Sequence, residues 1–144
     1  LLGTRWINRL LHATVLTPSR ESTRELFRRI LVADLTKVPP VYLQCAYLSR
    51  VIPGADLSWL TMLEQLVTLQ GLREKYLISD ELPRIKQPVL FLWGKSDWFA
   101  PPSVGEHACR LLPNARIEVL ENAGHLPWLD QPERSADLVV QFLR

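Results

Sequence analysis

Between Thr4 and Leu16 the apolar residues Trp6, Ile7, Leu10, Leu11 and Val15 recur at three- and four-residue spacing, which predicts a short amphipathic helix stopped by Pro18. Ser22-Thr23-Arg24-Glu25 has the form of a capping box, and Leu26, Phe27, Ile30, Leu31 and Leu35 extend a second helix to Pro39-Pro40. Pro40 suits a first helical turn and leads Val41, Leu43, Ala46, Tyr47, Leu48 and Val51 to a stop at Pro53-Gly54. Asp56 is placed to N-cap a fourth helix carrying Trp59, Leu60, Leu63, Leu66 and Val67, with Gly71 at the C-cap position. The first half of the chain therefore reads as all-helical.

The pattern changes after Gly71. A mixed, charged stretch ends in Leu82-Pro83-Arg84-Ile85-Lys86-Gln87-Pro88, a connector, and Val89-Leu90-Phe91-Leu92-Trp93 follows as an unbroken apolar run bounded by Pro88 and Gly94. Such a run predicts a strand buried on both faces of a parallel sheet. Ser103 is placed to cap a helix through Leu112, and Arg116-Ile117-Glu118-Val119-Leu120 alternates as a strand does. Gln131-Pro132-Glu133 then opens a last helix with an apolar stripe of Ala136, Val139, Val140 and Leu143, and Asp130 is read as its cap. Residues 94 to 115 separate the two strands, enough for a parallel crossover and too many for a hairpin. The fold class is α/β.

Composition narrows the function classes. The 144 residues are 47% hydrophobic and 22% charged with a net charge of +2, an ordinary globular balance that suits small neutral partners better than nucleic acid or an anionic membrane. No apolar run reaches the ~18 residues of a membrane span, and the opening residues lack signal-peptide architecture, so a cytoplasmic location is expected. Cys45 and Cys109 stand apart from any C-x-x-C spacing, and no metal or organic cofactor is implied. The chain opens on Leu1-Leu2 rather than Met and runs at once into a helical pattern, which raises the expectation of an upstream N-terminal part.

In an open parallel sheet, functional residues gather beyond the carboxyl ends of the strands. Asp97 lies four positions past Trp93 and His125 five past Leu120, so paired strands would deliver a carboxylate and an imidazole to one edge. A carboxylate that accepts the Nδ1 proton leaves Nε2 free as a general base. The distance expected between them is that of a hydrogen bond, ~2.6–3.2 Å. Trp98, Phe99 and Trp128 flank the pair as candidates to line an apolar pocket or to fill the core beneath it. The remaining polar residues read as structural: Ser96 as a turn residue, His12 and His107 without acidic context, and Arg24, Arg28 and Arg29 beside Glu21 and Glu25 as a solvated helix face.

The stretch Pro88 to Asp97 with Pro101-Pro102 after it, together with Ala123-Gly124-His125-Leu126-Pro127-Trp128-Leu129-Asp130-Gln131-Pro132-Glu133, resembles the C-terminal part of the α/β-hydrolase superfamily. The resemblance covers about residues 82 to 144. It implies that Asp97 (in G-x-x-D) is the acid and His125 (in G-H-x-P) the base of a triad, that residues 81–144 are the C-terminal part of the core, and that residues 1–80 are a helical cap or lid. The nucleophile of that family sits in a G-x-S-x-G turn ahead of both. No such turn exists in this chain, so the nucleophile and oxyanion hole are expected outside it. Two readings follow: part of a hydrolase acting on a small apolar or ester-like substrate, or a non-catalytic module that binds or self-associates through an exposed sheet edge.

Overall fold

The computed structural model describes residues 17–68 and 71–144, and the helix expected over Thr4–Leu16 lies outside them. The described residues form two compact units, 17–24 with Pro40–Ile78, and Glu25–Pro39 with Ser79–Arg144. Where the sequence suggests one boundary at residue 80, the units interleave, because residues 25–39 pack with the C-terminal part.

In the first unit the capping box falls one turn earlier than expected. The Ser22 N–H donates to Ser19 Oγ and the Ser19 N–H to Ser22 Oγ, both at 2.9 Å, and helix α1 starts at Arg20, spanning Arg20–Leu26. Thr23 is buried; its hydroxyl donates to the Ser19 carbonyl at 2.7 Å and accepts from the Arg50 guanidinium at 2.9 Å. Helix α2 spans Pro40–Arg50 as expected, with Leu43 buried. Helix α3, Ala55–Leu66, follows Gly54 in the left-handed region at φ +84°, so Asp56 falls within the first turn rather than at the N-cap. Gly71 does not cap this helix either. The chain turns extended at Val67, and β1 (Val67–Thr68) pairs antiparallel with β2 (Gly71–Leu72), where Gly71 takes φ +122°. The first half is therefore not all-helical.

In the second unit the chain leaves α1 through a wider helical turn, Phe27–Leu31, closed by the Val32 N–H donating to the Phe27 carbonyl at 3.0 Å. Helix ends there and does not reach Leu35, because Val32 is extended and Asp34 starts a separate 3₁₀ turn over Leu35–Lys37, accepting from the Thr36 N–H at 2.9 Å. Arg28 and Arg29 both donate to Glu25, as a solvated face should, and hold its carboxyl down at about 2. The stability those bonds contribute is present above the usual carboxylate range and lost as pH falls toward that value.

Strands β3 (Val89–Gly94) and β4 (Ala115–Leu120) form a parallel pair in the register Val89↔Ala115 to Gly94↔Leu120, joined by helix α4, Pro102–Leu111. Pro101 precedes α4 without a side-chain cap, which puts Ser103 inside the first turn. Alternation divides the strand residues between two faces. Trp93 and Ile117 meet α4 at Gly105, where a Cβ would come within 2.9 Å of both side chains. Leu92 and Leu120 face the other way and pack with Ala123 and Leu138 of helix α6, Pro132–Leu143. A single-turn helix α5, Pro127–Asp130, precedes α6. The sheet is thus covered by a helix on each face, yet β3 is only half-buried rather than buried on both faces, since β4 is its one strand neighbour among the described residues.

Helix α6 turns Ser135 and Leu138 inward, while the apolar stripe of Ala136, Val139, Val140 and Leu143 is exposed. Leu138→Ala should therefore cost ~2–5 kcal/mol in urea denaturation, and Val140→Ala within about 0.5 kcal/mol of nothing. Equal losses at the two positions would contradict this facing of the helix.

Candidate active site

The register of β3 and β4 brings the two following loops together. Beyond Gly94 the Lys95 N–H donates to the Leu120 carbonyl and the Ser96 N–H to the Ala123 carbonyl, both at 2.9 Å. Ser96 is a turn residue whose backbone ties the loops, in keeping with its sequence reading. The contact is close enough to demand glycine, because a Cβ on Gly94 would lie 1.9 Å from the Gly124 carbonyl oxygen and 2.4 Å from that of Ala123. Asn122 absorbs the turn out of β4 in the left-handed region at φ +54°, where asparagine is tolerated. Outside this contact, Lys95 pairs with Glu121 at 2.6 Å and the Gln131 side chain donates to the Glu121 carbonyl.

The two sequence candidates meet on this frame. His125 Nδ1 lies 2.9 Å from Asp97 Oδ2, within the expected range. The other carboxylate oxygen, Oδ1, accepts from the Phe99 N–H at 2.8 Å and the Ala100 N–H at 3.4 Å. Those bonds orient the carboxylate before the imidazole arrives. A carboxylate only accepts, so Nδ1 is the donor in this contact, and in the neutral ring that tautomer puts the lone pair on Nε2. Burial divides the pair unevenly: the Asp97 side chain is 6% exposed and that of His125 44%. The carboxylate is sheltered while the imidazole is partly open to solvent.

Phe99 stands against the imidazole with ring centroids 4.6 Å apart, and Trp98 meets Phe99 edge-on at 5.8 Å. Trp98, Phe99 and Trp128 are all exposed, so none of them fills the core. The Trp93 indole N–H donates to the Ala100 carbonyl at 3.0 Å and anchors the far end of the acid loop. His107 lies on α4, with its Nδ1 3.4 Å from an Arg110 nitrogen and away from any acid partner in that contact, and His12 lies outside the described residues. Cys45 and Cys109 are free thiols; burial pushes that of Cys109 up, helped by Glu106. Among the described residues no group of three His, Cys, Asp or Glu side chains is placed to hold a metal ion, and no helix is long and apolar enough to cross a membrane.

Sequence reasoning missed Asp130. It does not cap α6, whose N-terminal residue Gln131 makes no side-chain cap bond. Its carboxylate instead accepts from the backbone N–H groups of Ala33, Asp34 and Gly124. Periodicity cannot reveal a side chain two of whose three backbone partners lie more than ninety residues upstream.

Comparison with known proteins places the chain in context. The sequence model of the alpha/beta hydrolase family matches residues 2–138. The monoacylglycerol lipase ABHD6 of Rattus norvegicus is 34% identical over 71 residues, 49% of this chain and 21% of that protein. The pimeloyl-[acyl-carrier protein] methyl ester esterase of Neisseria meningitidis is 39% identical over 62 residues, 43% of this chain and 24% of that protein. Among solved structures, the 2-hydroxy-6-oxo-6-phenylhexa-2,4-dienoate hydrolase of a Rhodococcus species superposes with a TM-score of 0.72 at 19% identity, covering 97% of this chain and 49% of that one, which shows a common fold. The matched stretches thus span about a fifth to a quarter of the length of these curated relatives.

Gly94→Ala tests the loop contact. Its Cβ meets backbone rather than a flexible side chain, so the loops must part; a loss of at least ~1–3 kcal/mol in denaturation is expected, with the His125 Nδ1 proton signal weakened or lost in NMR spectra. An unperturbed signal would show that the loop contact does not hold the pair.

Proposed function

Because the chain belongs to the alpha/beta hydrolase family, we propose that it carries the acid and base of a nucleophile-His-Asp triad, whose nucleophile comes from sequence outside these 144 residues. The observation that carries this reading is the 2.9 Å contact of His125 Nδ1 with Asp97 Oδ2 across loops that leave two parallel strands. The substrate is an ester or a similar electrophilic bond, as the names of the related lipase and esterase suggest.

In the mechanism, His125 Nε2 takes the proton of a nucleophile hydroxyl as its oxygen attacks the substrate carbonyl, and Asp97 stabilises the imidazolium that forms. The tetrahedral intermediate collapses, the alkoxide leaves with the proton from Nε2, and an acyl-enzyme remains. Water then gives its proton to Nε2 as it attacks the acyl carbon; the carboxylic acid departs and the nucleophile recovers its proton. Donors for the oxyanion lie with the nucleophile. Trp98, Phe99 and Trp128 present apolar surface for the substrate.

The 144-residue chain should hydrolyse p-nitrophenyl butyrate no faster than free imidazole. A protein extended upstream through a G-x-S-x-G turn should be active, and in it His125→Ala should remove most of kcat, while Asp97→Asn should cost up to about 10⁴-fold by favouring the wrong tautomer. A burst-forming acyl intermediate on the 144-residue chain would sink the external nucleophile. Full activity of His125→Ala in the extended protein would sink the triad.

One observation favours a second reading, self-association. Val139, Val140 and Leu143 are exposed, and each strand of the β3–β4 sheet has one strand neighbour among the described residues. Sedimentation at micromolar concentration should then show dimers or larger species, and a stable monomer at every concentration would rule this reading out.

A further inference from the structure

We propose that Asp130 is a positioning residue for His125, clamping the backbone on which the imidazole is mounted; this rests on the reading of His125 as the base. The Asp130 side chain belongs to one of the most deeply buried residues of the unit, 1% exposed. An ionised carboxylate in such a place is costly unless its oxygens are satisfied. Both are. Oδ1 accepts from the Asp34 N–H at 2.9 Å, Oδ2 from the Gly124 N–H at 2.8 Å, and the Ala33 N–H lies 3.0 Å from each. Lys37 adds a nearby positive charge, its ammonium donating to the Asp130 carbonyl at 3.0 Å.

What these bonds hold is the segment on either side of the base. The Gly124 N–H belongs to the peptide before Gly124, one residue ahead of His125, and it is tied through Asp130 to residues 33 and 34. The Leu126 N–H belongs to the peptide directly after His125 and donates to the Leu31 carbonyl at 2.9 Å. Segment 31–34 therefore grips the His125 backbone on both sides. It also lies close against it, since a Cβ on Gly124 would come within 3.0 Å of Val32 backbone atoms and of the Leu31 carbonyl oxygen. The acid loop presses from elsewhere through Gly94 and Ser96. His125 has a half-open side chain on a backbone fixed from two directions, and the direction that Asp97 does not supply comes from Asp130.

Asparagine at 130 keeps the shape and removes one acceptor. Its amide nitrogen must then face a backbone N–H, so either Gly124 or Asp34 loses its partner, while Ala33 keeps the remaining oxygen. A base displaced by ~1 Å costs about 10²-fold in rate.

The test uses the 144-residue chain labelled with ¹⁵N. In the wild type the Gly124, Ala33 and Asp34 amides should exchange slowly with solvent, and the His125 Nδ1 proton should give a hydrogen-bonded signal. Asp130→Asn should speed Gly124 or Asp34 exchange at least tenfold and weaken or abolish the Nδ1 signal. Leu112→Ala removes a buried side chain at the end of α4 and touches none of these bonds, so it should lower Tm and leave the signal in place. In the upstream-extended protein, Asp130→Asn should lower kcat roughly 10²-fold with KM within about twofold. The proposal is overturned if Asp130→Asn keeps the wild-type Nδ1 signal, or if Leu112→Ala abolishes it as fully. Should Asp130→Asn fail to fold, the wild-type amides decide: free exchange at Gly124 and Asp34 overturns the clamp. None of the NMR readouts needs turnover, so a failed ester assay and a failed clamp are separate results.

Discussion

The parallel register of β3 with β4 is the constraint on which the site depends. With Gly94 opposite Leu120, both strands end at the same level, and the chain beyond each has to share one small space. A slip of one residue would turn Leu92 and Leu120 away from Leu138 and carry the acid loop off the histidine loop, so the core and the site are specified together. Glycine at position 94 follows from that crowding. The residue that ends β3 is also the one that lets two loops touch through backbone, and the 2.9 Å contact between Asp97 and His125 is built on it.

Two aspartates near the site show how backbone amides sort acids into roles. Asp97 spends one oxygen on the Phe99 and Ala100 N–H groups and keeps the other for the imidazole. Asp130 spends both on backbone and keeps none for chemistry. Both are largely hidden from solvent, and backbone donors fixed in the chain satisfy both oxygens of Asp130 and one oxygen of Asp97. Preorganised donors of this kind hold geometry without paying side-chain entropy at each encounter.

The elements legible in the sequence are those governed by local rules. Pro40 opening α2, the apolar run of β3, the alternation of β4 and Pro132 opening α6 need only their own neighbours. The pairing of Asp97 with His125 was legible too, because strand ends in a parallel sheet share an edge. What was not legible depends on distant partners. Val32 to Asp34 leave the helix where their backbone meets the histidine loop and Asp130, close to a hundred residues on. Gly71 has the look of a helix cap, yet its freedom at φ +122° serves a hairpin. The apolar stripe of α6 was legible, but periodicity reports amphipathicity and not what covers it; here Ser135 and Leu138 take the inward positions.

The interleaving of the two units bears on how the base could be assembled. Residues 25–39 are separated in sequence from the sheet they pack with by the whole of α2, α3 and the β1–β2 hairpin, so the clamp on His125 closes a long loop. Closure of such a loop costs entropy that grows only slowly with its length, roughly 0.6 kcal/mol per doubling. Two backbone donors across that loop, Ala33 and Asp34, bond to one buried carboxylate, each bond worth more than a neutral one because the acceptor is charged, and they are enough to offset that growth. The bonds from Ala33 and Asp34 thus hold residues 33–34 against the histidine loop although the whole of α2, α3 and the hairpin lies between them in sequence.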